Sequence, residues 1–236
     1  MNWKFLLLPL GLLALPARAQ QSKRNERLRY QLDSLDRAYR RYEQRTDAAF
    51  ARAEADSLLQ PVRLPNGNLV GYAGPAIGEV APDSSDLRLV TAIIRRYGYP
   101  GKSLVGPRAS QIAWQVLQRT GHTTRFLPQL RVAAAAGELP YPQYAQAVDL
   151  QLVQAGKSQR YGTQIMDCLL PNKTTGQVEV LRFLWPVADV PHVNDLRRRA
   201  GFTTTLAQEA RLLGFSLAPM SLPEAVRLKQ AAERGE

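Results

Sequence analysis

The sequence predicts a mainly α-helical fold of the α+β class: a helical domain with a small β-hairpin and a long N-terminal amphipathic helix. Three observations support this prediction. Residues 22–60 contain neither proline nor glycine and carry a heptad seam of apolar side chains. After residue 86, short segments with apolar residues at helical spacing alternate with glycine and proline. Late in the chain, two β-forming segments flank a turn-forming stretch at 172–176, which is typical of a hairpin.

The N-terminal segment 1–19 has the order of side chains expected of a secretion signal. Lys4 precedes an apolar run over 5–15, and a small-x-small triplet ends at Ala19. The apolar run is short for a helix that crosses a bilayer, which takes roughly 20 residues. We therefore expect cleavage after Ala19, which leaves no transmembrane span, and export to the periplasm or the extracellular space. An uncleaved N-terminal anchor is the alternative.

The remaining chain divides into three segments. A polar heptad helix is predicted over 20–60, a Pro/Gly-rich linker or loop over 61–85, and the helical domain with its hairpin over 86–236. The seam of the first helix consists of Leu28, Leu32, Leu35, Tyr39 and Tyr42. A helix this polar buries little by itself, so we expect its stripe to dock on the domain. A dimer formed through this helix is the alternative.

Within 61–85, a short strand is expected around Leu69 and Val70. The domain that follows begins with cap residues in 83–86. Its predicted elements, in order, are a helix to Gly98, a helix through Ile112 and Leu117 to Gly121, a helix over 123–136 with Pro128 near its first turn, a helix from Pro142 to Gly156, strands over 163–169 and 177–184, and helices over 193–200, 205–213 and 223–233.

The net charge of +11 falls to +9 when Lys4 and Arg18 leave with the signal. Such an excess favours anionic partners, including anionic envelope polymers. The arginines are scattered along predicted helices instead of being grouped with aromatic residues, so we expect no dedicated nucleic-acid site. The densest run, Arg197–Arg199, spreads over about 300° of a helix, and a solvated surface is expected for it.

Several kinds of chemistry lack their usual residues. Cys168 is the only cysteine, so no internal disulfide can form, and its predicted strand favours a small buried hydrophobic role. His122 and His192 are far apart and have no further ligand at metal-site spacing. Glycine-rich phosphate loops and the nucleophile elbow are absent from the sequence. We expect neither a metal nor a cofactor, and the sequence identifies no catalytic residue.

A polar string, Gln159-Arg160-Tyr161-Gly162-Thr163-Gln164, stands where a helix is predicted to give way to a strand. On this Q-x-Y-G-T-Q motif the chain resembles a bacterial family named domain of unknown function 6624. The likeness extends over about residues 86–214. Further segments that resemble the family are Arg96–Pro100, Ser103–Gly106, Trp114–Gln118, Leu127–Leu130, Gly137–Leu139 and Pro186–Gly201.

Two departures from that family concern polar positions. Arg119 follows Gln118 where the family usually has Gln-His, and Leu150 follows Asp149 where it usually has Asp-Arg. Loss or alteration of a reaction is one interpretation of these departures. His122 lies one helical turn beyond Arg119, so it could return an imidazole to the same face.

The candidate site residues supply hydrogen-bond donors, acceptors and one aromatic wall for a ligand. They are Gln118, His122, Asp149, Gln159, Tyr161, Thr163 and Gln164. A structural alternative stays open, because buried polar residues usually satisfy backbone groups and because Gly162 suits a turn with positive φ.

Three functional hypotheses follow. The first is a binding or interaction module of the cell envelope that takes a small molecule or an envelope ligand. The second is a hydrolase-like enzyme with Asp149 as base and Tyr161 or His122 as proton donor. The third is an envelope scaffold that acts through the N-terminal helix.

Overall fold

The computed structural model describes residues 25–55, 60–63, 69–72, 83–171 and 178–234. The expected signal over 1–19 lies outside the described residues. The helices are α1 (Glu26–Ala55), α2 (Asp83–Tyr97), α3 (Lys102–Val105), α4 (Pro107–Arg119), α5 (Leu127–Ala135), α6 (Tyr141–Gln154), α7 (Val193–Arg199), α8 (Leu206–Leu213) and α9 (Leu222–Arg234). The strands are β1 (Gln60–Arg63), β2 (Leu69–Tyr72), β3 (Ile165–Pro171) and β4 (Val178–Leu184).

The N-terminal helix α1 docks on the helical domain, as the docking hypothesis predicts. Leu28 and Leu32 are buried in one core with residues of α2, α4 and α5. The start of α1 is held by Asn25, whose Oδ1 accepts the N–H of Leu28 at 3.1 Å and whose own N–H donates to the carbonyl of Leu104 at 2.7 Å. The leucine part of the seam therefore packs within the chain.

The predicted C-terminal limit of the first helix is wrong, because Gln60 belongs to β1. The reason is steric: a residue that precedes proline is disfavoured in the α conformation, and Pro61 follows Gln60. Strand β1 pairs antiparallel with β2, with Val62 opposite Val70. The strand expected around Leu69 and Val70 is thus present. Its partner β1 was not predicted, because a proline such as Pro61 is typical of the end of a helix.

Among the described residues, the largest core lies among α1–α6. Leu32, Leu117 and Leu130 are fully buried there, and Trp114 is nearly so. Pro107 and Pro128 stand in the first turns of α4 and α5, where a proline costs no helical hydrogen bond. The predicted run over 123–136 is divided into a 3-10 turn, Thr124–Phe126, and α5.

The late hairpin is also confirmed, together with the mainly α-helical fold class. Strands β3 and β4 pair antiparallel, with Ile165 opposite Leu184. Cys168 is 1% exposed and packs with Phe183, Trp185 and Ala225 of α9, so it is the small buried hydrophobe that the sequence predicts. Among the described helices, none is long and apolar enough to cross a membrane.

Thr123 provides a first prediction about stability. The residue is 2% exposed, and among the described residues its Oγ1 finds no hydrogen-bond partner. Because an unsatisfied buried hydroxyl costs free energy, Thr123→Val should raise the free energy of unfolding by about 1 kcal/mol in urea denaturation. Thr120→Val is the matched control. The Thr120 hydroxyl donates to the Val116 carbonyl at 2.7 Å, so removing it should lower the free energy of unfolding. A destabilised Thr123→Val would show that the hydroxyl does have a partner.

Candidate functional site

The loop over 159–164 is organised around the carboxylate of Asp149 on α6. This side chain is fully buried. Oδ1 accepts the N–H groups of Arg160 at 2.7 Å and Tyr161 at 3.1 Å. Oδ2 accepts the N–H of Thr163 at 3.1 Å and its hydroxyl at 2.9 Å. The carboxylate thus acts as an internal anion around which consecutive N–H groups of the loop are folded.

Gln159 closes the same loop from within. It is fully buried, and its Nε2 donates to the carbonyl oxygens of Trp185 at 2.6 Å and Gln164 at 3.1 Å. Its Oε1 accepts the N–H of Gln164 at 2.8 Å. The Gln164 side chain in turn donates to the carbonyl of Gln146 on α6 at 3.3 Å. Both glutamines therefore satisfy backbone groups, as the structural alternative predicts for buried polar residues.

Arg197 holds the opposite side of the loop, which corrects the expectation of a solvated surface for 197–199. Its side chain is 1% exposed. Its Nη1 donates to the carbonyl of Tyr161 at 3.0 Å, its Nε to the carbonyl of Thr204 at 3.0 Å, and its Nη2 lies 2.6 Å from Oε2 of Glu209. When three adjacent residues splay around a helix that lies on a core, one of them can face inward.

Gly162 is the turn residue that the sequence predicts. Its φ is +70°, a conformation that L side chains rarely adopt. A Cβ added there would lie 2.8 Å from Cδ1 of Leu206 on α8. The loop thus needs glycine both for its backbone angle and for its close approach to α8.

Tyr161 lies between α6 and the loop that follows α7. Its ring centroid is 6.4 Å from that of Phe202, and the residue is 5% exposed. Burial and a hydrogen bond with the Tyr141 hydroxyl raise the pKa of Tyr161 to about 12. The phenol is therefore protonated at neutral pH.

Acid–base chemistry at this loop is not favoured by the geometry. Burial raises the pKa of the Asp149 carboxyl, while hydrogen bonds from Arg160, Tyr161 and Thr163 oppose that rise. A general base must reach the proton that it removes, but both oxygens of Asp149 face the loop and are closed to solvent. The arrangement supports the folding of the loop.

The structure brings five of the seven predicted site residues together and places the other two elsewhere. Asp149, Gln159, Tyr161, Thr163 and Gln164 share the loop network. Gln118 is exposed on α4 and faces α1. His122 follows α4, where its Nδ1 lies within hydrogen-bond distance of the Thr120 carbonyl.

Gln118 belongs to an open groove between α1 and α4 with a volume of about 460 Å³. Two carboxylates and two guanidinium groups line it, so the lining carries no net charge although the chain as a whole is strongly basic. The lining residues are Asp36, Tyr39, Arg40, Glu43, Ile112, Gln115, Gln118 and Arg119.

Arg119 is held in place at one side of this groove. It forms an ion pair with Asp86, whose side chain is 4% exposed. Its guanidinium carbon lies 4.0 Å from the centroid of the Tyr39 ring, which is a cation–π contact. Two partners on different helices therefore fix the orientation of this cation before any ligand arrives.

Asp36 holds the two helices together at the floor of the groove. Its Oδ2 accepts from Nε of Arg40 on α1 and from Nη2 of Arg108 on α4, each at 3.0 Å. Burial raises the pKa of the Asp36 carboxyl, but the hydrogen bonds and charges of these two arginines outweigh it and lower the pKa below the usual value. Asp36 is therefore ionised at neutral pH.

Sequence reasoning missed Arg197 and most of the groove. Val193 and Ala200 stand four residues before and three after Arg197, and both are buried, so an apolar stripe on that face was an available signal. The seam of α1 contains Tyr39, but nothing in the sequence indicates that it meets Arg119. Within the described part of the chain, His, Cys, Asp and Glu side chains form no group of three that could hold a metal ion.

Comparison with protein-family models, with curated proteins and with solved structures finds no match to this chain.

Proposed function

We propose that the chain is a binding module of the bacterial cell envelope whose ligand occupies the groove between α1 and α4. The observation that carries this proposal is the groove itself. It offers exposed amides, at Gln115 and Gln118, beside an aromatic ring and a guanidinium, at Tyr39 and Arg119, that are already fixed.

The size and rigidity of the groove support binding. Small-molecule sites usually enclose about 300–1,000 Å³ and use a few placed polar groups to orient the ligand. The volume of about 460 Å³ falls in this range. Because Arg119 is held by Asp86 and Tyr39, a ligand that contacts it does not need to order a free arginine side chain.

The envelope location and the family assignment are parts of the same proposal. The location is supported by the charged, apolar and small-x-small order that ends at Ala19. Membership of domain of unknown function 6624 is supported by the string from Gln159 to Gln164. The buried position of Asp149 favours binding over the hydrolase hypothesis, in which that carboxylate would be the base.

The test is a ligand screen with a variant that fills the groove. Purified protein is mixed with short peptides, envelope sugars and nucleotides, and the midpoint of thermal unfolding is measured. A ligand should raise the midpoint of the wild type but not of Gln118→Trp, in which the indole occupies the groove and should weaken binding more than tenfold. Gln118 is exposed, so the variant should fold normally.

Gln151→Trp is the matched control for that screen, because Gln151 is an exposed glutamine on α6, outside the groove. It should respond to the ligand as the wild type does. A ligand that stabilises both tryptophan variants equally binds elsewhere, and the proposal is then wrong. It is equally wrong if all three classes of compound leave the wild type unchanged at millimolar concentrations.

A further inference from the structure

The chemistry of the groove narrows the class of ligand. Resting on the function proposed above, we infer that the groove binds a short peptide in an extended conformation and that Gln115 and Gln118 hold its backbone. The inference depends on the geometry of these two amides and on the charge balance of the lining.

Gln115 and Gln118 are spaced for two successive contacts along one edge of an extended chain. They stand three residues apart on α4, so their Cβ atoms are about 5–6 Å apart on one helical face. In an extended peptide, residues that point to the same side recur about every 6.6 Å, which is twice the rise per residue. Flexible glutamine side chains easily absorb a difference of about 1 Å.

Both amides are available for a ligand. Gln115 and Gln118 are exposed, and within the described residues neither side chain is hydrogen bonded. By contrast, Gln111, one turn earlier on α4, accepts from Nε2 of Gln143 at 2.6 Å and does not line the groove. The two free amides therefore coincide with the open part of the α4 surface.

A glutamine amide fits the backbone of an extended peptide better than it fits an acetamido sugar. In an extended chain, the N–H and C=O of one residue point to the same side, and a single partner can bond both, as in a hydrogen-bonded pair of antiparallel strands. A glutamine side chain offers both the donor and the acceptor that this requires. The acetamido group of a sugar is a trans amide whose N–H and C=O point in opposite directions, so one glutamine can bond only one of them.

The charges of the lining also favour a peptide over a polyanion. Asp36 and Glu43 balance Arg40 and Arg119, so the groove does not share the strongly positive net charge of the chain. Long-range attraction of a nucleic acid or an acidic polymer depends on an excess of cations near the site. A peptide that carries one lysine and one glutamate has no net charge, and it therefore matches a lining whose own charges balance.

The experiment uses the blocked pentapeptide acetyl-Ala-Lys-Ala-Glu-Ala-amide and follows amide chemical shifts of the whole protein by NMR. We expect shifts at groove residues of α1 and α4. Gln115→Ala and Gln118→Ala should each weaken binding about threefold to tenfold, since each removes hydrogen bonds to the peptide. The double variant should weaken binding at least tenfold. The exposed control Gln151→Ala should bind as the wild type does.

Two versions of the same peptide, methylated on the two alternative sets of alternate backbone nitrogens (the two registers), provide a further test. In one of the two registers, methylation should weaken binding at least tenfold.

The outcomes separate this inference from the proposed function. If a trimer of N-acetylglucosamine or a nucleotide shifts the groove residues and the pentapeptide does not, the peptide inference fails and the binding function stands. If the pentapeptide binds but tolerates backbone methylation in both registers and the double variant, recognition through the two glutamines is wrong. If none of these probes shifts the groove residues, both proposals fail.

Discussion

Asp149→Asn should lower the free energy of unfolding by about 3–5 kcal/mol, one of the two largest effects expected in this protein. The carboxylate accepts three backbone N–H groups and one hydroxyl while fully buried. An asparagine amide keeps the shape but turns one acceptor into a donor that faces other donors. Hydrogen bonds to a charged group are worth about 1.5–3 kcal/mol each, and removing one member of a buried network leaves its partners unsatisfied. Urea denaturation of the purified protein measures the change.

A small-anion rescue separates this explanation from a general loss of packing. Asp149→Ala leaves a cavity into which the N–H groups of Arg160, Tyr161 and Thr163 point, which is an anion site. Acetate or formate should therefore raise the unfolding midpoint of Asp149→Ala and leave that of the wild type almost unchanged. Asp195→Asn, at an aspartate of α7 whose side chain is half exposed and pairs with Arg198, should change the free energy of unfolding by less than about 0.5 kcal/mol. An Asp149→Asn protein as stable as the wild type would contradict the anchoring role.

Arg197→Ala should also lower the free energy of unfolding by about 3–5 kcal/mol. The substitution leaves the carbonyl groups of Tyr161 and Thr204 without their donor and leaves the Glu209 carboxylate without its buried cation. It also removes a guanidinium that lies 4.4 Å from the Phe202 ring centroid. Arg197→Lys should recover part of the loss, because an ammonium keeps the charge but cannot reach several acceptors in different directions as the guanidinium does.

The arginine run contains its own matched controls. Arg198 and Arg199 are exposed on the same helix, and replacing either by alanine should change the free energy of unfolding by less than about 0.5 kcal/mol. Equal effects at all three positions would contradict the buried role of Arg197. Asp149 binds the N–H groups and Arg197 the carbonyl groups of one loop. The double variant Asp149→Asn/Arg197→Ala should therefore lower the free energy of unfolding by less than the sum of the two single effects.

Prediction of the fold succeeded where periodicity alone was sufficient. The heptad stripe of α1 and the late hairpin follow from spacings of four and three and from alternation around a turn. Of the hairpin formed by β1 and β2, only β2 was predicted, since a proline in an edge strand resembles the end of an element. Helix limits differ from prediction by a few residues, because capping and local sterics set them.

Five of the seven predicted site residues lie in one hydrogen-bond network, whereas Gln118 and His122 lie elsewhere. The string from Gln159 to Gln164 and the distant Asp149 do meet, yet they meet as a network that satisfies backbone groups. Sequence cannot distinguish a polar residue that faces a ligand from one that faces a loop, since both have the same chemistry. Gln118 was selected together with the loop residues but lies on a groove whose other wall comes from α1.

By itself, the sequence determined most of the elements: where helices repeat every 3.6 residues, where strands alternate, and where glycine, as at position 162, permits a turn. Only the tertiary structure decided which polar side chains contact protein and which contact solvent. Arg197 and Arg198 are chemically identical neighbours, yet one is buried in a network and the other is exposed. That difference arises because a helix places adjacent residues about 100° apart, and the packing of the helix selects which of them faces the core.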